Sequence, residues 1–133
     1  EIYQCDWSSD VCSSDLQVWS PRVLRAAMGA HFQLRIHEHA ALPEVIRNFS
    51  GISVSTRLDA TATIFELDLA GPVAWVFGNE GSGLAADTAA LTRQVARIPM
   101  PGKTESLNVA AAASICLFEE VRQKLAGCAS QNT

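Results

Sequence analysis

The sequence predicts a single α/β domain whose sheet is mostly parallel and flanked by helices. Strand-like and helix-like segments alternate from residue 20 to residue 125, a pattern typical of such sheets. One strand-like segment, Val73–Phe77, is a continuous apolar run between Pro72 and Gly78, as expected for a strand that helices cover on both faces. The 133 residues are 48% apolar and 18% charged, enough for one hydrophobic core and too apolar for a disordered chain.

The alternation begins with a helix. Ser20 can cap a helix, Pro21 suits its first position, and Gly29 suits its end, so we expect a helix over 21–28. Apolar and polar residues then alternate over 31–37, which predicts a short strand.

A second helix and strand follow. The segment 40–49 fits a helix that opens near Pro43, with three side chains facing inward: Val45, Ile46 and Phe49. The apolar residues at 52 and 54 then suggest another short strand.

The second half of the chain continues the pattern after the Val73–Phe77 strand. We expect a short helix over 84–91 and a strand over 95–98, which a proline ends. A long helix over 106–125 follows, with Ser106 as its cap and Gly127 as its stop.

Residues 1–16 differ from the rest of the chain. Ser-Ser-Asp occurs at 8–10 and again at 13–15, neither a helical nor a strand period is present, and the composition changes at Gln17. Two interpretations stay open: a disordered polar terminus, or a foreign segment resembling a translated sequencing adaptor joined to a truncated gene. In both cases we exclude these residues from fold reasoning and expect the protein's own sequence to begin further upstream.

The negative charge is concentrated in the same segment. The chain carries a net charge of −4, and residues 1–16 hold four acidic residues and no basic one, namely Glu1, Asp6, Asp10 and Asp15. Residues 17–133 therefore hold ten basic and ten acidic side chains. The composition thus argues against a broad basic surface for nucleic acid, but it allows a localised one.

Cysteine usage and hydropathy point to a cytoplasmic protein. The cysteines at positions 5, 12, 116 and 128 lack CxxC spacing, which argues against a zinc site or a disulfide framework and fits a reducing compartment. We expect Cys116 to be a core thiol and Cys128 to lie in a polar tail. No apolar run reaches the roughly 18 residues of a membrane span, and no secretory signal is recognisable.

Two loops are candidates for chemistry, because ligands bind at the carboxyl ends of parallel strands. The first, 78–83, has the sequence Gly-Asn-Glu-Gly-Ser-Gly, whose glycines allow a backbone to approach a ligand closely. Its spacing fits neither GxGxxG nor GxxxxGK[ST]. A glycine-rich turn without a ligand, with Glu80 as a solvated loop acid, is the alternative.

The second loop, 98–108, leads into the last helix, whose free N–H groups favour oxygen acceptors. Ser106, taken alone, is more simply an N-cap. The run Ala110–Ala113 lets another backbone approach closely, so we expect this helix to be buried against the sheet or a partner. Ordinary helix propensity is the alternative explanation of the alanines.

The triplet His37-Glu38-His39 raises a metal hypothesis, because residues two apart share one face of a strand. No third ligand stands at a recognisable spacing, so we expect a solvated strand edge and no metal.

Two strings taken together carry a specific resemblance. PVAWVFGNEGSGL and IPMPGKTESLNVAAAASICLFEE, in this order and about fifteen residues apart, resemble motifs two and three of the SpoU/TrmH family. These are S-adenosylmethionine-dependent RNA ribose 2′-O-methyltransferases of the SPOUT class. SPRVLRAAMGAHF also resembles the segment after motif one, so the resemblance spans about residues 18–126.

The resemblance implies a fold and a cofactor site. The last helix is expected to pass through a loop and form a trefoil knot, an exception to the rule against knots. S-adenosylmethionine is expected to lie between the two loops, held mainly by backbone groups. Gly78, Ile98 and Leu107 fall at the family's cofactor contacts, and we add Phe77 and Met100 to this set.

The same resemblance implies a polar active site at Asn108 and Glu80, to which we add Ser106. Methyl transfer to a ribose 2′-hydroxyl needs alignment and help in removing a proton, and no metal. The expected partners are a structured RNA, tRNA or rRNA, and a second copy of the chain, paired through the last helix with a contribution from the helix over 21–28.

One departure from the family is expected. Motif one, with its asparagine and catalytic arginine, should lie upstream of Ser20, and residues 1–16 do not match it. We therefore divide the chain into the segment 1–16, a SPOUT methyltransferase domain over 17–127 without motif one, and a polar tail over 128–133. The alternative function is a non-catalytic module that binds cofactor or RNA.

Overall fold

The computed structural model describes residues 10–13, 17–78, 83–102 and 107–130. The chain divides into two compact units, Glu1–Val45 and Ile46–Thr133. Of the helices described, none is both long and apolar enough to cross a membrane.

The first unit contains a pair of parallel strands. Strand β1 (Asp10–Ser13) pairs with β2 (Arg35–Glu38), with Asp10 opposite Arg35. Helix α1 (Pro21–Ala26) lies between them in sequence, and helix α2 (Leu42–Asn48) follows β2. Four residues of the segment 1–16 thus form a strand, where no regular structure was expected.

The predicted start of α1 is confirmed, whereas the helix ends at Ala26, before the predicted end at residue 28. The Ser20 hydroxyl accepts a hydrogen bond from the backbone N–H of Val23 at 3.4 Å, and Pro21 is the first helical residue. Gly29 follows the helix with a φ of 88°, a left-handed conformation that glycine adopts without strain.

The strand predicted over 31–37 is only half correct. Residues Ala30–Phe32 form a turn of 3₁₀ helix, and the strand begins at Arg35. The N–H groups of Gln33 and Leu34 both donate to the carbonyl of Ala30, so these donors serve a local turn and not a sheet.

The second unit contains a three-stranded parallel sheet. Strand β3 (Ile52–Thr56) lies between β4 (Val73–Val76) and β5 (Gln94–Ala96). A short helix α3 (Ala86–Ala89) separates β4 from β5 along the chain, and helix α4 (Val109–Ser130) ends the described part. The predicted α/β class with a parallel sheet is confirmed.

The prediction that Val73–Phe77 is buried on both faces is wrong. In the described sheet β4 lies at an edge and its residues are half-buried, whereas Ser53, Val54 and Ser55 of β3 are buried. The strand predicted at 52 and 54 is confirmed, but its two buried serines lower its hydropathy, so the sequence does not indicate that it is the central strand. Ser55 is satisfied by the hydroxyl of Thr92 at 2.9 Å, and Ser53 accepts from the N–H of Arg93 at 3.0 Å.

The core of this unit gathers around β3. Val54, Ile64, Ala96 and Cys116 are buried together, with Trp75 among the half-buried residues packed against them. Burial raises the pKa of the Cys116 thiol to about 12, so it stays protonated and unreactive at neutral pH. The predicted core role of Cys116 is confirmed.

Helix α4 differs from its prediction at both ends. It begins at Val109, and its cap is Asn108, whose Oδ1 accepts from the N–H groups of Ala110 at 2.9 Å and Ala111 at 3.3 Å. It continues through Gly127 to Ser130, so Gly127 does not stop it. One glycine in a helix costs about 1 kcal/mol relative to alanine, which a 22-residue helix sustains.

Side-chain hydrogen bonds fix α4 in the second unit. The amide of Gln123 accepts from the N–H of Leu69 at 2.9 Å and donates to the carbonyl of Leu67 at 3.0 Å. Glu120 accepts from the indole N–H of Trp75 at 2.9 Å and pairs with Lys124 at 2.6 Å. These bonds hold α4 beside β4 and beside Leu67–Leu69, the segment that precedes β4 in the chain.

Candidate functional site

A cavity of about 220 Å³ lies at the carboxyl ends of the three strands of the second unit. Each strand contributes the residues that follow it, and the start of α4 closes one side. The lining residues are Thr56, Arg57, Leu58, Phe77, Gly78, Gly83, Leu84, Ile98, Met100, Leu107, Val109 and Ala112. The cavity lies where the carboxyl-end rule for parallel sheets predicts a ligand site.

The structure brings together all five residues to which the sequence analysis assigned the cofactor. Phe77 and Gly78 follow β4, Ile98 and Met100 follow β5, and Leu107 precedes α4. They are up to 30 positions apart in the chain and line one cavity. Parallel pairing of β4 and β5 with β3 places the ends of these strands at one edge of the sheet.

The cavity wall is mainly apolar. Aliphatic and thioether side chains dominate it, and the ring of Phe77 is held by Trp75, whose centroid lies 6.4 Å away at an interplanar angle of 20°. An apolar wall with few charges excludes water and suits the flat, uncharged parts of a ligand. Backbone groups at Gly78 and Gly83 supply polar atoms on this wall.

Gly78 is required by the packing of the chain itself. A Cβ atom at this position would collide with the backbone of Gly83 and Leu84. The two ends of the loop 78–83 therefore approach each other more closely than a side chain permits. Gly83 has a φ of 68°, which also favours glycine.

Of the three polar residues proposed for the active site, the structure describes Asn108 alone. Asn108 is adjacent in the chain to Leu107, and its Oδ1 is engaged by two backbone N–H groups of α4. It does not belong to the residues that line the cavity. Glu80 and Ser106 lie outside the described residues.

The contribution of β3 to the cavity was not predicted from the sequence. Thr56, Arg57 and Leu58 line the cavity, as do Leu84 and the first turns of α4. The carboxyl-end rule applies to β3 as it does to β4 and β5, so the signal was available once β3 is known to be the central strand. Among the alanines of α4, Ala112 lines the cavity, which gives its small side chain a local role.

Arg57 brings a positive charge to the cavity wall. Its Nε donates to Oδ1 of Asp59 at 2.9 Å, and its Nη2 donates to Oδ2 at 2.6 Å. The hydrogen bond from Arg57 holds the pKa of the Asp59 carboxyl below its ordinary value. The pair is therefore ionised at neutral pH and holds the guanidinium in one orientation.

A sequence model of the SpoU rRNA Methylase family matches residues 9–118 of the chain. The match begins within the segment that the sequence analysis set apart and includes both loops of the cavity. Its extent is most of the 133 residues.

Individual proteins agree with the family match. An uncharacterized tRNA/rRNA methyltransferase of Synechocystis is 37% identical over 110 residues, which are 80% of this chain and 40% of that protein. The 23S rRNA (guanosine-2′-O-)-methyltransferase RlmB of a Burkholderia species is 47% identical over 77 residues, 57% of this chain and 31% of that protein.

A solved structure resembles the fold. The SpoU methyltransferase AviRb from Streptomyces viridochromogenes, in complex with the cofactor AdoMet, aligns with a TM-score of 0.78 and 30% identity, over 88% of this chain and 49% of that one. The chain thus spans less than half the length of each of these three proteins.

Proposed function

Because the chain belongs to the SpoU rRNA Methylase family, we propose that it forms the cofactor-binding part of an RNA ribose 2′-O-methyltransferase. The observation that carries the proposal is the cavity at the carboxyl ends of β3, β4 and β5, lined by Phe77, Gly78, Ile98, Met100 and Leu107. The relatives named for methylation of tRNA or rRNA support the same reaction class.

The cavity fits S-adenosylmethionine chemically. Its apolar wall suits an adenine ring and a methionine chain, and backbone groups at Gly78 and Gly83 offer hydrogen bonds to the adenine edge. The bound cofactor supplies the methyl group as a sulfonium. With about 220 Å³, the cavity encloses part of such a ligand.

The chain's own residues would contribute alignment and exclusion of water. Leu84, Ile98 and Leu107 give the cavity an apolar wall, against which a bound ligand would displace water and strengthen the hydrogen bonds there. We keep Glu80 and Ser106 as polar residues proposed to take part in the reaction at the ribose hydroxyl. Asn108 is proposed to act as a positioning residue, because its cap fixes the start of α4 directly after Leu107.

The knot and the homodimer remain part of the proposal. The trefoil knot would form around α4, which hydrogen bonds from Gln123 hold against the segment Leu67–Leu69. A stripe of exposed apolar residues on α4 supports pairing with a second copy, with Phe118 73% and Leu125 63% exposed. The domain division into 1–16, 17–127 and 128–133 is kept with two changes, since β1 lies within 1–16 and pairs with β2, and α4 continues to Ser130.

The substrate is proposed to be ribosomal or transfer RNA in the cytoplasm. A transfer assay with radiolabelled S-adenosylmethionine, run separately on purified 23S rRNA and on bulk tRNA, distinguishes the two. The product after nuclease digestion should be a 2′-O-methylated nucleoside. Base methylation in place of ribose methylation would contradict the reaction class.

The cofactor part of the proposal is tested on the chain itself by titration calorimetry with S-adenosylmethionine. We expect saturable binding that Met100→Glu abolishes, because a carboxylate in an apolar wall is strongly disfavoured. The matched control is Phe65→Glu, which makes the same kind of change at a side chain that is 55% exposed and outside the cavity. Equal loss in both variants, or no binding by the parent chain, would contradict the proposal.

A further inference from the structure

A second cavity adjoins Arg57. It has a volume of about 410 Å³ and is lined by Arg57, Asp59, Ala60, Thr61, Ala62 and Val95. Arg57 also lines the cavity to which we assigned the cofactor. One arginine therefore stands where the two cavities meet.

The position of Arg57 is fixed by the backbone. It directly follows β3, the central strand, and its N–H donates to the carbonyl of Ala96 in β5 at 3.0 Å. Asp59 then orients the guanidinium through two hydrogen bonds. These use two of the five N–H donors of a guanidinium, and the other three suit an incoming anionic oxygen.

Stability does not explain this ion pair. The side chains of Arg57 and Asp59 are 49% and 69% exposed, and ion pairs at such exposure contribute little to folding. A half-exposed guanidinium that a carboxylate orients beside an apolar cavity is instead typical of a site that orients an anionic ligand arriving from solvent.

From this geometry, and on the basis of the proposed function, we infer that Arg57 binds a backbone phosphate of the substrate RNA. This phosphate belongs to the strand next to the nucleotide that enters the cofactor cavity. The second cavity provides room for the strand on the far side of Arg57, lined by small residues that a sugar-phosphate chain can pass. The neutral charge balance of residues 17–133 is consistent with a single localised phosphate contact in place of a broad basic surface.

The test is the salt dependence of RNA binding. Binding of the chain to a fluorescein-labelled, mixed-sequence RNA hairpin is measured by anisotropy over a series of KCl concentrations. Each phosphate contact contributes about 0.7–0.9 to the slope of log K against log salt concentration. We expect Arg57→Gln to weaken binding and to lower the slope by that amount, and Arg57→Lys to keep most of the slope because the charge remains.

The matched control is Arg122→Gln. Arg122 is likewise paired with a carboxylate, that of Glu119, is 64% exposed, and lines neither cavity. Its substitution removes the same charge and should leave the slope unchanged. Three results would overturn the inference. They are an equal slope in Arg57→Gln and the parent chain, an equal fall of the slope in both glutamine variants, and no RNA binding by the parent chain.

Calorimetry with S-adenosylmethionine separates this inference from the proposed function. Because Arg57 also lines the cofactor cavity, the salt slope of Arg57→Gln is measured without cofactor, and we expect it to fall by the amount of one phosphate contact. Weaker cofactor binding with an unchanged salt slope would overturn the inference and assign Arg57 to the methionine carboxylate. Failure of the parent chain to bind the cofactor would contradict the proposed function, and the salt slope would still report on Arg57.

Discussion

The indole N–H of Trp75 donates a hydrogen bond to the carboxylate of Glu120, 2.9 Å away. This bond joins β4, which leads directly into Phe77 and Gly78, to α4, whose first turns form another wall of the cavity. Two walls that are far apart in sequence are thereby fixed relative to each other. The cavity's shape consequently depends on contacts outside it as well as on its own lining.

Gly78→Ala should destabilise the fold and abolish cofactor binding. The added methyl group collides with the backbone of Gly83 and Leu84, which cannot rotate away as a side chain does. Forced overpacking of this kind costs about 1–3 kcal/mol. Urea unfolding measures the change, with Gly71→Ala as the control, because a methyl group there meets no atom within 4 Å. A parent-like midpoint for Gly78→Ala would show that the loop ends separate easily.

The cap at Asn108 is tested by two substitutions. Asn108→Ala removes the acceptor for two N–H groups of α4 and should lower the free energy of unfolding by about 1 kcal/mol. Asn108→Asp keeps a capping oxygen and should retain the stability. If methyl transfer falls with Asn108→Ala and is kept with Asn108→Asp, the residue acts through the cap. Loss of transfer in both variants would instead assign a direct role to its amide N–H₂ group.

Gln123 should be worth more to stability than its neighbour Arg122. Gln123→Met leaves the N–H of Leu69 and the carbonyl of Leu67 without this partner and should cost about 1–3 kcal/mol. Arg122→Met breaks an ion pair with Glu119 in which the arginine is 64% exposed, so we expect a small effect. Chemical denaturation of both variants gives the comparison, and the reverse order would contradict it.

Acid should weaken the contribution of Glu119. Hydrogen bonds, first from Arg122 and then from Gln123, hold the pKa of its carboxyl below the ordinary 4.5 in the folded state. A carboxyl with a lowered pKa stabilises the fold above its unfolded pKa, and this stability is lost as the pH falls through the folded value. The difference in unfolding free energy between the parent and Glu119→Gln should therefore be larger at pH 7 than at about pH 3. An unchanged difference would contradict this assignment.

The sequence predicted the position of the cavity better than the burial of the strands around it. Gly78 and Pro99 follow β4 and β5 at short distance along the chain, and a rule about parallel sheets then places the two loops together. Which strand is central could not be read in the same way, because Ser53 and Ser55 of β3 are satisfied by Thr92 and Arg93, about 40 residues away. The hydropathy of β3 depends on its own serine side chains and contains no information about hydrogen-bond partners that are distant in the sequence.

The ends of α4 show a second limit of sequence reasoning. Ser106 and Asn108 are both good capping residues, and their sequence does not determine which of them the preceding loop turns toward the helix. Gly127 is a common helix stop, yet the helix continues through it. Tertiary contacts of Glu120 and Gln123 hold the preceding turns in place and outweigh the local preference.

The claim that the loops after β4 and β5 and the start of α4 form one S-adenosylmethionine site can be tested by amide chemical shifts. The ¹⁵N-labelled chain is titrated with S-adenosylmethionine, and the amide signals of the whole chain are followed. We predict that the largest shifts fall together at Phe77, Gly78, Ile98, Met100 and Leu107, with small shifts at Arg93 on the opposite edge of the sheet. Shifts concentrated away from the carboxyl ends of the strands, or no saturable shift at these five residues, would contradict the claim.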